Sequence, residues 1–257
     1  MARTANSSDP AELEAFAPAR KPLIEGVLPE RLLAMVYGRT GSGKSAIVLD
    51  MAIAIVNGRP SRGHSVQRGG VLWLAVEGAE DAGPRLGPGV PSCVLAATAN
   101  SFGGPYGQTS LVEHAKELCA VLAPEQPGLI VLDTLARATV GRNESAAQDM
   151  TPVLDAANNL REITGACVLL IHHAGWDARH SRGFSGLIDW PDTVLRVTAR
   201  DGVVDVIAEK QRASSSGKRI ATMALIPHDG AVVVAPPSSV ELGRCARALV
   251  LALGVGS

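Results

Sequence analysis

The sequence predicts an α/β fold: a mainly parallel sheet covered by helices, with antiparallel strands added at its C-terminal edge. Three observations predict it. Strand-length apolar runs alternate with helix-length segments through the first two thirds of the chain, a glycine-rich turn joins the first strand to the first helix, and the last third changes to strand-turn-strand patterning. The first strand is 32–37 (LLAMVY), short and wholly apolar as a buried strand is. Helix 44–56 (KSAIVLDMAIAIV) is apolar on nearly every face, which suits packing against a sheet. Strand 71–76 (VLWLAV), a short helical piece near 78–87, strand 93–96, helix 110–122, strand 129–132 (LIVL), a helix over about 149–163 and strand 167–171 (CVLLI) continue the alternation. Leu111, Ala115, Leu118, Cys119 and Leu122 recur at helical steps, as do Met150, Val153, Leu154, Ala157 and Leu160, so each helix buries one stripe. Residues 193–198 (TVLRVT) and 203–208 (VVDVIA) flank Ala-Arg-Asp-Gly and predict a hairpin, followed by strands near 219–225 and 231–235. The chain shows no internal repeat.

At 257 residues and 46% hydrophobic content, one substantial core fits better than two. Residues 1 to about 21, rich in Ala, Ser, Pro and charge, read as a lead-in to a single domain over 22–257. The longest apolar stretches are too short to span a bilayer and the N-terminus lacks a basic-then-apolar pattern, so a cytoplasmic setting without a membrane partner is expected. Cys93, Cys119, Cys167 and Cys245 lie far apart, without a C-x-x-C pair, and are expected to be reduced core residues. A net charge of −1 argues against coating of nucleic acid by bulk charge, but not against a local basic grip on a phosphate backbone.

The chemistry begins between the first strand and the first helix. Gly38, Arg39, Thr40, Gly41, Ser42, Gly43, Lys44 and Ser45 spell GRTGSGKS, a full G-x-x-x-x-G-K-[ST] phosphate loop. Its glycines let backbone N–H groups turn onto phosphate oxygens, Lys44 reaches the β/γ-phosphates, and the Ser45 hydroxyl is placed to ligate Mg2+. The helix that follows points its positive end at the same phosphates. A bound nucleoside triphosphate with Mg2+ is therefore expected.

Asp133 ends the apolar strand LIVLD and is expected to complete the metal site with Ser45. The next residue is Thr134, not Glu, so the base that activates water must come from elsewhere. Glu77, closing VLWLAVE on a neighbouring strand, is the natural candidate; Glu80 and Asp81 read instead as acids that complement a helix dipole. His172 and His173 sit where strand 167–171 ends, on the same crevice edge, where one of them can sense a γ-phosphate; a core histidine bonded to backbone is the alternative. A zinc site with His180 fails for want of further ligands at usual spacings. After the hairpin, Lys210 and Arg212 in Glu-Lys-Gln-Arg are placed to project from its tip toward a neighbouring subunit's nucleotide, or else form a solvated basic loop. The stretch 176–190 (WDARHSRGFSGLIDW), with Arg179 and Arg182, has the composition of a loop that grips a single-stranded backbone.

Together these motifs resemble the RecA-like P-loop ATPases, and within them the RepA-type replicative helicases of plasmids and phages. The resemblance runs from about Pro22 to Pro227, through PLIEGVLP, GRTGSGKS, LWLAVEGAED with Arg85-Leu86 following, LIVLDTLARA, LLIHHAG, RGFSGLIDWPDTVLRV and KQR. It implies ATP hydrolysis with Glu77 as catalytic base, a γ-phosphate sensor at His172 and His173, and Lys210 with Arg212 acting in trans. It also implies a homo-oligomer, a hexameric ring threading single-stranded DNA, with a primase or replication initiator as a further partner. The chain departs from the family pattern at Gly78-Ala79, where an acidic-Pro pair is usual, and in Gly83, Pro84, Gly87 and Pro88, which shorten or break the next helix. The expected activity is an ATP-driven helicase or translocase on single-stranded DNA. Its alternatives are an ATP switch that loads or regulates a DNA-bound partner without unwinding, and a small-molecule kinase.

Overall fold

The computed structural model describes residues 21–75, 94–98, 113, 115–120, 126–175, 183–212, 215–228 and 231–237. Among the described residues, nine strands make one sheet: β1 Leu33–Gly38, β2 Gly70–Ala75, β3 Val94–Thr98, β4 Pro127–Asp133, β5 Cys167–His173, β6 Thr193–Arg200, β7 Val203–Gln211, β8 Lys218–His228 and β9 Ala231–Ala235. Their order is β3-β2-β4-β5-β1-β6-β7-β8-β9. Pairing is parallel from β3 through β6 and antiparallel from β6 through β9. The expected fold class is thus the observed one. Only β6 has a double character: it is parallel to β1 on one side and antiparallel to β7 on the other.

Each face of the sheet has its own core. Helix α1, Lys44–Asn57, covers one face with Ile47, Val48, Met51, Ala52, Ile55 and Val56 packed on alternate residues of β1, β2, β4 and β5. Four of those six side chains are β-branched, which lowers helix propensity by only tenths of a kcal/mol each, whereas burying one stabilises by about 1.5–3 kcal/mol. Burial against the sheet therefore decides the helix. The other face carries the short helix α2 (Leu135–Ala138), helix α3 (Ala147–Thr164), the helical residues 115–120 and the short helix α4 (Gly186–Asp189). The expected stripe Met150, Val153, Leu154, Ala157 and Leu160 is buried in α3, and the helix ends at Gly165, whose N–H still donates to the Arg161 carbonyl and whose left-handed φ of +71° turns the chain out of the helix.

Boundaries moved by a few residues at most: strand 93–96 is Val94–Thr98, and helix 149–163 is Ala147–Thr164. The sequence reading missed α2 and α4, four residues each and too short for a period to show. The helical piece near 78–87 lies outside the described residues, as do the ends of helix 110–122. Cys167 is buried and free, its thiol pushed up to about 12 chiefly by burial; Cys119 is half-buried and shifted upward for the same reason. Among the described residues no helix is long and apolar enough to cross a membrane.

Candidate nucleotide site

The site forms where β1, β4 and β5 end at their carboxyl edges around the N-terminus of α1. Gly41 and Gly43 take left-handed φ values of +77° and +84°, the conformation that glycine adopts without cost. A side chain at Gly38 is impossible on other grounds. Its Cβ would lie 2.4 Å from the Val197 carbonyl oxygen of β6 and 2.8 Å from the Ser42 hydroxyl. At Gly43 a Cβ would fall 2.3 Å from a methyl of Leu225, so β8 presses directly on the loop. The N-terminus of α1 has neither a side-chain cap nor an acidic residue in its first turn. Its first N–H groups are left for an anion from outside the helix.

Lys44 is 6% exposed, and its ammonium donates to the carbonyl oxygens of Gly38 at 3.1 Å and Arg39 at 2.9 Å. Burial lowers its pKa to about 8, and the nearby Asp133 carboxylate partly offsets that loss. Asp133 ends β4 opposite Ile171 and shares the α1 face of the sheet with Val131 and Leu129. It therefore stands on the same side as the phosphate loop. Two buried hydroxyls here, Ser42 Oγ and Thr134 Oγ1, have no hydrogen-bond partner among the described residues. Thr134 heads α2 in extended conformation yet does not cap it.

Strand alternation separates the two histidines. His173 pairs in register with Gly38, and its Nδ1 lies 3.4 Å from the Thr40 hydroxyl of the phosphate loop. His172 pairs with Tyr37, is fully buried, and continues the row Val168 and Leu170 on the α3 face. Only His173 is brought to the loop, because adjacent strand residues point to opposite faces. Glu77, Arg85 and the loop with Arg179 and Arg182 lie outside the described residues.

Lys210 and Arg212 are not at this site. Gln211 pairs with Thr193, and Thr193 with Ala34, so the Lys-Gln-Arg segment sits at the amino end of β1. From there Gly38 is four residues along the strand, about 13 Å at 3.3 Å per residue. Arg212 is exposed, with Nη1 2.6 Å from Asp192 Oδ1. Lys210, by contrast, does not project from the hairpin tip as the sequence suggested. Its ammonium donates to the Ile188 and Asp189 carbonyls at 3.3 and 2.5 Å, at the end of α4 where helix carbonyls lack donors of their own.

The residues present fit a triphosphate and its cation: a glycine cradle, a bare helix N-terminus, a buried ammonium bonded to loop carbonyls, an acid and two hydroxyls without a partner among the described residues. Fold and site define a P-loop ATPase. Residues 2–179, more than half of the chain, match the AAA domain model, and the chain belongs to that family. No curated protein matches it. Sequence reasoning missed Thr134 as an orphaned hydroxyl, Leu225 over Gly43, and Asp192 under Arg212, although Asp192 lay within the RGFSGLIDWPDTVLRV stretch.

Proposed function

We propose that the protein is an ATP-hydrolysing RecA-like motor on single-stranded DNA, a helicase or translocase working as a hexameric ring. In this reading Lys44 and the loop N–H groups bind the β- and γ-phosphates, while Ser45 and Asp133 hold Mg2+. The cation, when bound, would neutralise charge that develops on the β- and γ-phosphate oxygens. Glu77 takes a proton from the attacking water, and His173, beside Thr40, senses whether the γ-phosphate is present. His172 supports the site from the opposite face of the sheet.

One observation carries the shared-site part of this proposal: Arg212 is exposed yet held at the opposite end of β1 from its own loop. An arginine so placed is out of reach of its own loop and available to a neighbour's nucleotide, where it would stabilise transition-state charge; Lys210, released from α4, would join it. Two measurements test the whole. On material whose assembly is fixed by light scattering, ATPase activity should rise severalfold with single-stranded DNA, and a duplex with a single-stranded tail should be unwound. Stimulation without unwinding would favour the ATP switch that loads or regulates a partner. An unstimulated monomer would reject the motor.

A further inference from the structure

The segment Glu209 to Arg212 is fastened at every residue. The Tyr37 hydroxyl donates to the Glu209 carboxylate, with Arg196 Nε 3.8 Å from the same oxygen. Lys210 is bound to the α4 carbonyls, and Gln211 Nε2 donates to the Gly26 carbonyl oxygen at 2.9 Å. Arg212 is held twice by one residue. Its backbone N–H donates to the Asp192 carbonyl oxygen at 2.9 Å, and its Nη1 to Asp192 Oδ1 at 2.6 Å.

Asp192 is the unusual member. It is 6% exposed, whereas the Arg212 side chain is 76% exposed. A surface ion pair of this kind contributes little stability, since the guanidinium remains in water. What a buried carboxylate does for an exposed arginine is fix its direction. Asp192 is itself fixed by β1: its N–H donates to the Leu33 carbonyl oxygen at 2.8 Å, and its Oδ2 accepts from the Leu33 N–H at 3.3 Å. One carboxylate oxygen thus faces β1 and the other faces Arg212. With Nη1 engaged and most of the side chain exposed, the rest of the guanidinium stays open to solvent.

We propose that Asp192 is the positioning residue for Arg212: it ties the guanidinium to the first residue of β1, so that the strand bearing one phosphate loop also aims the cation offered to the next. This rests on the reading that Arg212 acts across a subunit interface. Both partners of the Asp192 carboxylate are donors, so an amide in its place can satisfy only one of them.

Asp192→Ala should keep ATP affinity within about twofold, since its own loop is untouched, and lower kcat by about 100-fold, the scale of a misplaced catalytic group. Asp192→Asn should show a smaller loss with an unchanged melting temperature. The double variant Asp192→Ala, Arg212→Ala should be no slower than Arg212→Ala alone. The decisive experiment mixes each chain with Lys44→Ala, which lacks a working loop but offers an intact Asp192 and Arg212. Both Arg212→Ala and Asp192→Ala should regain turnover in the mixture, as donors alone were defective. Failure of both mixtures would reject action across the interface. Rescue of Arg212→Ala without rescue of Asp192→Ala, or an Asp192→Asn enzyme as fast as wild type, would overturn the role given to Asp192.

Discussion

The strands on the two sides of β1 differ in how they are buried, and the difference separates two kinds of work. β1 and β2 are buried at every residue, β5 at all but His173 and β4 at all but Gly128, because helices cover both faces. Polar side chains there are confined to the carboxyl ends, where Asp133 and His173 meet the loop. In β7 burial alternates strictly from Val203 to Glu209, with Val204, Val206 and Ala208 inward and Asp205, Ile207 and Glu209 on the more open face. Polar groups can therefore be set along the strand, and Asp205 uses this freedom to accept from Thr222 at 2.6 Å. The parallel half concentrates its chemistry at one edge, while the antiparallel half carries cations to the opposite one.

The largest effect should come from the parallel half. Lys44→Ala removes the buried ammonium from the phosphates and should cut turnover by about 1,000-fold, the upper scale for losing one preorganised electrostatic group, as read in a steady-state ATPase assay. Next is Glu77→Gln. It should retain ATP binding, measured with a fluorescent analogue, while turnover falls by about 100-fold or more, the contribution of a positioned general base. Retained hydrolysis would move the base to another residue.

The parallel half was also the more legible in sequence. Continuous apolar runs with a glycine turn specify buried strands and a phosphate loop through local chemistry alone, so Gly38 to Ser45 and Asp133 were visible at once. Which histidine faces the loop was hidden by one residue of register: His172 and His173 are equivalent in composition, and only the pairing of His173 with Gly38 distinguishes them. Lys210 misled for a related reason. A cation after a hairpin strand looks solvated, yet the carbonyls that hold it belong to α4, a helix too short to leave a periodic signal. Asp192 could not be assigned without knowing that β6 lies beside β1.

A third substitution tests the seam between the halves. Tyr37, fully buried, is the last residue but one of β1 and donates across β6 to Glu209 of β7. Tyr37→Phe leaves that carboxylate with Arg196 nearby and partial access to water, so the cost should be about 1 kcal/mol, or a melting point lower by about 2–4 °C. A shift near zero would show that the seam is held by backbone pairing alone.

The smallest expected effect has the opposite sign. Thr134 is 9% exposed, extended at φ −113° and ψ 159°, and its hydroxyl neither caps α2 nor meets another described group. A buried hydroxyl without a partner costs free energy, and valine fits the same extended backbone with the same branching at Cβ. Thr134→Val should therefore raise the melting temperature of the nucleotide-free protein by about 2 °C, for a gain of roughly 0.5–1 kcal/mol. The further rise produced by Mg2+ and ATP should at the same time be smaller than in the wild type, because the ligand would have lost a hydroxyl kept for it. Were the hydroxyl an ordinary helix cap instead, its loss would destabilise the free protein by ~1 kcal/mol and leave the ligand-induced rise unchanged. The two accounts differ in sign on the free protein, and a reduced ligand-induced rise in one stands against an unchanged rise in the other, so calorimetry with and without nucleotide separates them.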